Sequence, residues 1–298
     1  MAESVDNSLT DRILRLVSKQ DSLPEFPADA EDLPSDYEYD PDADEEIEEV
    51  EEISENDLLQ YLESERSALS VAKQLFFTEQ LENANQLQLQ VLSPDDVHTL
   101  YNVGAVVIDN VIDPAIIRGA NQEAAVMKDN GEFQPAQQYR KEGDDMFRDE
   151  TARDDQTVWL DPAIDYEQES KQHLNQVLRM ISQGLLQDLS KIIHLNGKVE
   201  YQLAYYHPQN ARYERHRDAF PVSDREDVTQ RRVTAIVYLN PDWVQGDGGE
   251  LRIFGKNGEA DQDIAPIASR MVVFLSGVAD HAVVAASQDR YALTAWIR

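Results

Sequence analysis

Beyond Gly197 the apolar residues arrive in six short runs: VEYQLAYYHP, RRVTAIVYLNP, GELRIF, RMVVFLSG, HAVVAA and RYALTAWIR. Each is bounded by Gly, Asp, Asn or Pro. Runs this short, bounded by turn residues, read as strands. Upstream the period is helical. From Leu58 to about Gln90, Leu58, Leu62, Leu69, Ala72, Leu75 and Phe76 recur at helix-like spacing. Ser93-Pro94-Asp95-Asp96 supplies a cap, a first-turn proline and two acids, and predicts a helix ending near Gly104. A strand is expected at Ala105–Asp109, and a second helix from Asp113-Pro114 to Asn130-Gly131. Thr157–Leu160 reads as another strand, followed by one long helix from about Tyr166 to Leu195. Helices first and strands afterwards predict an α+β domain in which helices support a β-sandwich or barrel.

Charge divides the chain unevenly. Its 298 residues carry a net charge of −32, and Glu25–Asp57 holds 17 of the 58 acids without a single Lys or Arg. That stretch is proline-punctuated and poor in large apolar groups, so burial cannot offset its ordering entropy, and it is expected to be disordered. It serves either as a solubilising tail or as an arm for a basic partner. Residues 8–18 can form a short amphipathic helix with Thr10 as cap, marginal alone. The expected organisation is a mostly disordered region 1–57, a helical extension 58–92 and a main domain 93–298. The rest of the chain keeps 41 acids against 26 bases and shows no basic face, so nucleic acid is not an expected partner. Cysteine is absent, which excludes disulfides, thiolate metal sites and cysteine nucleophiles, and leaves imidazole and carboxylate as metal ligands. A polar N-terminus and the lack of a membrane-spanning apolar run point to no membrane and to a cytoplasmic or nuclear protein.

The chemistry gathers in the last third. His216 and Asp218, two apart in an extended segment, point to one side and can grip one metal ion; a surface turn with a hydrogen-bonded histidine fits the same spacing. His281 opens one strand and Arg290 the last. Alternation puts Arg290, Ala292, Thr294 and Trp296 on one face, and Tyr291, Leu293, Ala295 and Ile297 on a greasy face that packs on helices. The first face is then the interior. A buried guanidinium there needs an anion, either an acid of the chain or an anionic cosubstrate. Two histidines and one carboxylate make the facial triad of non-haem Fe(II) oxygenases.

The segments GAVVIDNVI, TVWLD, YYHPQNARYERHRD, RRVTAIVYLNPDW, GDGGELRIF, VVFLSG, and His281 followed nine residues later by Arg290-YALTAW, run in order across residues 93–298. Together they resemble the 2-oxoglutarate- and Fe(II)-dependent dioxygenases of the prolyl 4-hydroxylase group, particularly the cytosolic hypoxia-factor type. The resemblance implies a double-stranded β-helix (jelly-roll, cupin-like) barrel backed by helices. It implies hydroxylation of a prolyl residue in a protein, with O2 consumed, succinate and CO2 released, and ascorbate in support. His216, Asp218 and His281 would hold Fe(II). Arg290 would pair with the distal carboxylate of 2-oxoglutarate, Tyr238 would donate to it, and Thr294 and Trp296 would line the pocket. Tyr206 would lie at the metal-chelating end, unless a one-residue slip substitutes Tyr205. Arg231 or Arg252 would contact the substrate peptide, and the polar stretch 133–155 would be a closing lid. The segment AFPVSDREDVTQRR between Asp218 and Val233 is longer than in animal relatives, which leaves the substrate open. His98, His173, His194 and His207 fall outside the motif and are expected to be structural. Two alternatives accompany this reading: an oxygenase of the same fold acting on another residue or a small molecule, and an idle barrel that binds partners through its acidic arm.

Overall fold

The computed structural model describes residues 68–139, 146–147, 152–165, 168–219, 229–256 and 259–298. The acidic stretch 25–57, the expected helix at 8–18 and most of the long insertion after Asp218 lie outside them. Among the described residues no helix is long and apolar enough to cross a membrane.

The first described segment is helical over 68–76 and leads into a 3-10 stretch, Glu79–Gln86. Ala68, Ala72, Phe76, Ala84 and Leu92 all enter the main core. Asp188 fastens the end of this segment. Its fully buried carboxylate accepts the backbone amides of Gln90, Val91 and Leu92 at 2.7–3.1 Å. Helix α1 (Pro94–Val103) starts with the expected cap: Ser93 Oγ accepts from the Asp96 amide and the Asp96 carboxylate accepts from the Ser93 amide. It ends at Gly104, whose φ of +87° is a left-handed conformation suited to glycine. Strand β1 (Ala105–Ile108) and helix α2 (Pro114–Asp129) follow as predicted.

Within 133–155, the described residues 133–139, 146–147 and 152–155 include short paired strands. Phe133 and Ala136 are buried, β2 (Gln134–Pro135) pairs with β5 (Gln156–Leu160), and β3 (Gln138–Tyr139) pairs with β4 (Met146–Phe147). The helix expected from about Tyr166 to Leu195 forms over Gln172–Ile192, starting later than expected and passing through a π turn. A turn at Pro162–Asp165 is followed by an extended Gln168 (φ −84°, ψ 113°), which interrupts the helical path. Helix α3 (Gln172–Arg179) then runs through a π turn (Met180–Leu185) into α4 (Leu186–Ile192).

The remaining strands are β6 (Val199–Tyr206), β7 (Ala211–His216), β8 (Val233–Tyr238), β9 (Leu251–Ile253), β10 (Gln262–Ile264), β11 (Met271–Leu275), β12 (His281–Ala286) and β13 (Arg290–Ile297). One antiparallel sheet has the order β1-β11-β8-β13-β6-β5-β2, and the other β10-β9-β12-β7. Two antiparallel sheets with helices on one side give the jelly-roll expected for the oxygenase fold. Alternation along the large sheet separates two cores. Leu203, Val233, Ala235, Val237, Val273, Leu293, Ala295 and Ile297 meet Leu174, Val177, Leu178, Ile181, Leu185, Leu189 and Ile192 from the helices. The opposite face contributes Ile236, Tyr238, Val272, Phe274 and Ala292 to a second cluster with Leu251 and Ile264 of the small sheet. Each fully buried Leu or Ile contributes about 1.5–3 kcal/mol, so the helix-backed layer fixes the large sheet and frees its inner face for chemistry.

Candidate active site

His216 is the last residue of β7 and His281 the first of β12, and the two are cross-strand partners. Their rings therefore lie side by side, with centroids 4.2 Å apart. Asp218 sits in the bend just past β7 and turns its carboxylate between them. His216 Nε2 is 3.8 Å from Oδ1 and His281 Nε2 is 3.8 Å from Oδ2. Donor atoms of all three lie within 4.8 Å of one another. Each imidazole is oriented by its own strand: His216 Nδ1 meets the Glu214 carbonyl at 2.8 Å and His281 Nδ1 the Ala279 carbonyl at 3.2 Å. With Nδ1–H donating to a carbonyl, the Nε2 lone pair of each ring is left for a metal.

Electrostatics favour the ligating forms. Burial, reinforced by neighbouring His281, pushes His216 down to about 3 against the attraction of Asp218, so the ring is neutral at ordinary pH. Burial would push Asp218 up. The two histidines, the Thr234 hydroxyl and Arg231 outweigh it and hold the carboxyl below its usual value. Thr234 Oγ1 donates to Asp218 Oδ2 at 2.7 Å and lies 2.8 Å from Ser276 Oγ.

Arg290 opens β13 on the same interior face and is 3% exposed. Its Nε donates to the Gly249 carbonyl at 2.7 Å, and its guanidinium lies over the rings of Tyr206 (4.6 Å) and Tyr238 (5.2 Å). Among the described residues no carboxylate pairs with it. Tyr238 is fully buried and its hydroxyl has no hydrogen-bond partner. Burial pushes that phenol up to about 12 although Arg290 pulls it down, so it is a donor. A buried cation and an orphaned donor side by side fit the carboxylate of a small ligand. The nine-residue spacing from His281 to Arg290 is one strand of the small sheet plus the corner that carries the chain to the large one.

Tyr206 is the cross-strand partner of Arg290 and faces the interior, whereas the Tyr205 hydroxyl donates to Asp289 on the helix side at 2.8 Å. Thr294 and Trp296 share the Arg290 face, opposite Gln202 and Glu200. Trp296 stands between the half-exposed Trp159, 5.7 Å away, and Arg231, 4.1 Å away. Arg231 also reaches Glu200 at 3.0 Å. Arg252 lies apart, paired with Asp263 across β9 and β10. His173 bonds Glu123 and His207 faces Asp154 at 3.3 Å, both away from the triad.

Several neighbours escaped the sequence reading. Tyr213 stacks on His216 with centroids 3.6 Å apart, and Arg153 covers Tyr213 at 4.2 Å. Arg153 forms a bidentate pair with Asp155, both contacts at 2.7 Å. Phe274 packs 4.7 Å from the His281 ring, making the inner wall apolar.

Comparison with known proteins agrees with this geometry. Residues 201–298 match the family model of the 2OG-Fe(II) oxygenase superfamily. A Pseudomonas putida prolyl-4-hydroxylase structure is 32% identical, with 68% of this chain and 97% of that one covered and a TM-score of 0.56. The chain belongs to the prolyl 4-hydroxylase family of 2OG-Fe(II) oxygenases. A Trichoplax adhaerens prolyl hydroxylase structure shares the fold at 20% identity, covering 80% and 92% of the two chains with a TM-score of 0.55. The Caenorhabditis elegans hypoxia-inducible factor prolyl hydroxylase is 27% identical over 219 residues, 72% of this chain. That match spans only 29% of the worm protein. Within the family, a two-imidazole, one-carboxylate donor set suits Fe(II), and the Arg290–Tyr238 pair suits 2-oxoglutarate.

Proposed function

We propose that the protein is a 2-oxoglutarate- and Fe(II)-dependent dioxygenase that hydroxylates a prolyl residue of a protein, using O2 with ascorbate in support. One observation carries this reading. The His216–Asp218–His281 cluster shares its barrel with Arg290, a buried cation lacking a carboxylate partner among the described residues. The names of the Pseudomonas and worm relatives support proline as the target.

His216 and His281 hold the metal through Nε2, and Asp218 through its carboxylate. When bound, iron with 2-oxoglutarate supplies the oxidative decarboxylation to succinate and CO2 that is coupled to hydroxylation. Arg290 neutralises the distal carboxylate of the cosubstrate and Tyr238 donates to it. Thr294 and Trp296 line the same pocket, Tyr206 stands towards the chelating end, and the apolar wall around Phe274 keeps water out. Arg231, stacked on Trp296, is favoured over Arg252 for the substrate peptide, because Arg252 is engaged elsewhere. The stretch 133–155 serves as the covering segment, anchored where Arg153 meets Tyr213. The acidic stretch 25–57 acts in solubility or takes a basic partner; deleting it separates the two.

The test is succinate release with Fe(II), ascorbate and 2-oxoglutarate, with and without proline-containing peptides, beside His216→Ala and Arg290→Ala. Release that needs both residues and rises with a peptide that gains one oxygen on proline supports the proposal. Oxygen placed on another residue type, or no metal and cosubstrate binding at all, overturns it.

A further inference from the structure

The chain between and beside the metal ligands carries a second set of charges facing away from the triad. In Arg215-His216-Arg217-Asp218, alternation sends His216 and Asp218 to the cavity, and Arg215 and Arg217 to the opposite side. On the facing segment Asp280 precedes His281. Arg217 grips Asp280 with both arms of its guanidinium, Nε to Oδ1 at 2.5 Å and Nη2 to Oδ2 at 3.0 Å. Arg215 Nη2 adds a third contact to Oδ2 at 2.9 Å while its guanidinium lies over Phe254. The side chains of Arg217 and Asp280 are 6% and 4% exposed, so water screens this bond weakly.

We propose that Asp280 and Arg217 are positioning residues: an ionic crosslink that holds the two ligand-bearing chain ends at metal-binding distance before any ion arrives. The proposal rests on the reading of His216, Asp218 and His281 as metal ligands.

Two features of the backbone make such a crosslink necessary. The β12–β7 ladder is irregular where it matters, with register shifts between His281 and Val283 and again between Val283 and Ala286. Strand β7 also stops at His216, so Asp218 lies beyond the ladder. Backbone pairing therefore fixes the relation of His216 to His281 only at the last rung, and a bidentate pair directly behind that rung supplies the missing constraint. Charge adds a second reason. Two arginines flanking a metal-binding histidine repel an incoming dication, and Asp280 is the carboxylate that offsets them.

The test uses the full chain and reads Mn(II) affinity by titration without cosubstrate, together with the melting temperature of the metal-free protein. Asp280→Asn keeps the shape and loses the charge; it is expected to weaken Mn(II) binding by about 10–100-fold, the usual range for partners of metal ligands. Arg217→Lys keeps the charge without the fork and is expected to fall between that variant and the unaltered protein. The double variant Arg217→Met/Asp280→Leu removes the buried pair together and leaves Arg215, a third exposed, to solvent; apolar replacement of a buried pair is commonly neutral for stability. It is expected to melt close to the unaltered protein and still bind Mn(II) weakly. Mn(II) affinity equal to that of the unaltered protein in the folded double variant, or in Arg217→Lys should the double variant not fold, overturns the proposal. If the unaltered protein binds no better than His216→Ala, the metal-site reading itself fails, which is a separate outcome.

Discussion

A Cβ placed on Gly249 would stand 2.7 Å from Cδ of Arg290, closer than side-chain carbons approach. Gly249 has φ +75° and offers its carbonyl to Arg290 Nε, so one residue both makes room for the guanidinium and aims it. Gly249→Ala should push Arg290 off its position. We expect the KM for 2-oxoglutarate to rise about tenfold or more, and stability to fall by about 1–2 kcal/mol from the left-handed backbone. Succinate kinetics over a 2-oxoglutarate series and thermal melts check the two effects separately.

Tyr238 should show opposite signs in binding and stability. Its hydroxyl is buried without a partner, so Tyr238→Phe removes an unsatisfied polar atom and should leave the protein as stable or slightly more so. The same change removes a donor to an anionic ligand, which is worth about 1.5–3 kcal/mol. Cosubstrate affinity should therefore drop about tenfold or more, measured by calorimetry beside a urea melt.

Thr234 reaches the histidine cluster through Asp218. Thr234→Val removes the hydroxyl that holds Oδ2 and should weaken Mn(II) binding about tenfold with little change in fold. In the unaltered protein, Mn(II) at a hundred times its Kd should add about 2.7 kcal/mol of stability. A chelator should remove that gain, and His216→Ala should never show it. Melting with and without metal reads all three.

Asp188 concerns folding alone. Asp188→Leu strands the amides of Gln90, Val91 and Leu92, at about 1–3 kcal/mol for each buried donor that water fails to reach. We expect a loss of about 3 kcal/mol or more in urea unfolding, with metal affinity unchanged in the molecules that remain folded.

What the sequence made legible follows from the range of each signal. The six apolar runs are strands because each is buried on at least one face and alternation or uniform greasiness records that. His281, Arg290 and the interior face of β13 were readable for the same reason. Strand β7 was not recognised as such: ARYERH is mostly polar, because its side chains are largely half-buried on the small sheet. Strand β10, QDI, is too short to show a period. The late start of the helix expected from Tyr166 was hidden because its apolar stripe begins only at Leu174, so no periodic residue marks the extended Gln168 before it. Contacts such as Arg153 on Tyr213, Asp188 with Gln90, and Arg217 with Asp280 join residues 60 or more apart, or depend on a stack, and no local pattern encodes them.

His216 and His281 stand on the small sheet, while Arg290, Tyr238 and Thr294 belong to the large one. A cosubstrate held at both ends would therefore act as a strut between the two walls of the jelly roll. Succinate, one carbon shorter and without the keto oxygen, would be a poorer strut. Turnover would then loosen the very span that the cosubstrate had tightened, and the walls would relax apart as product leaves.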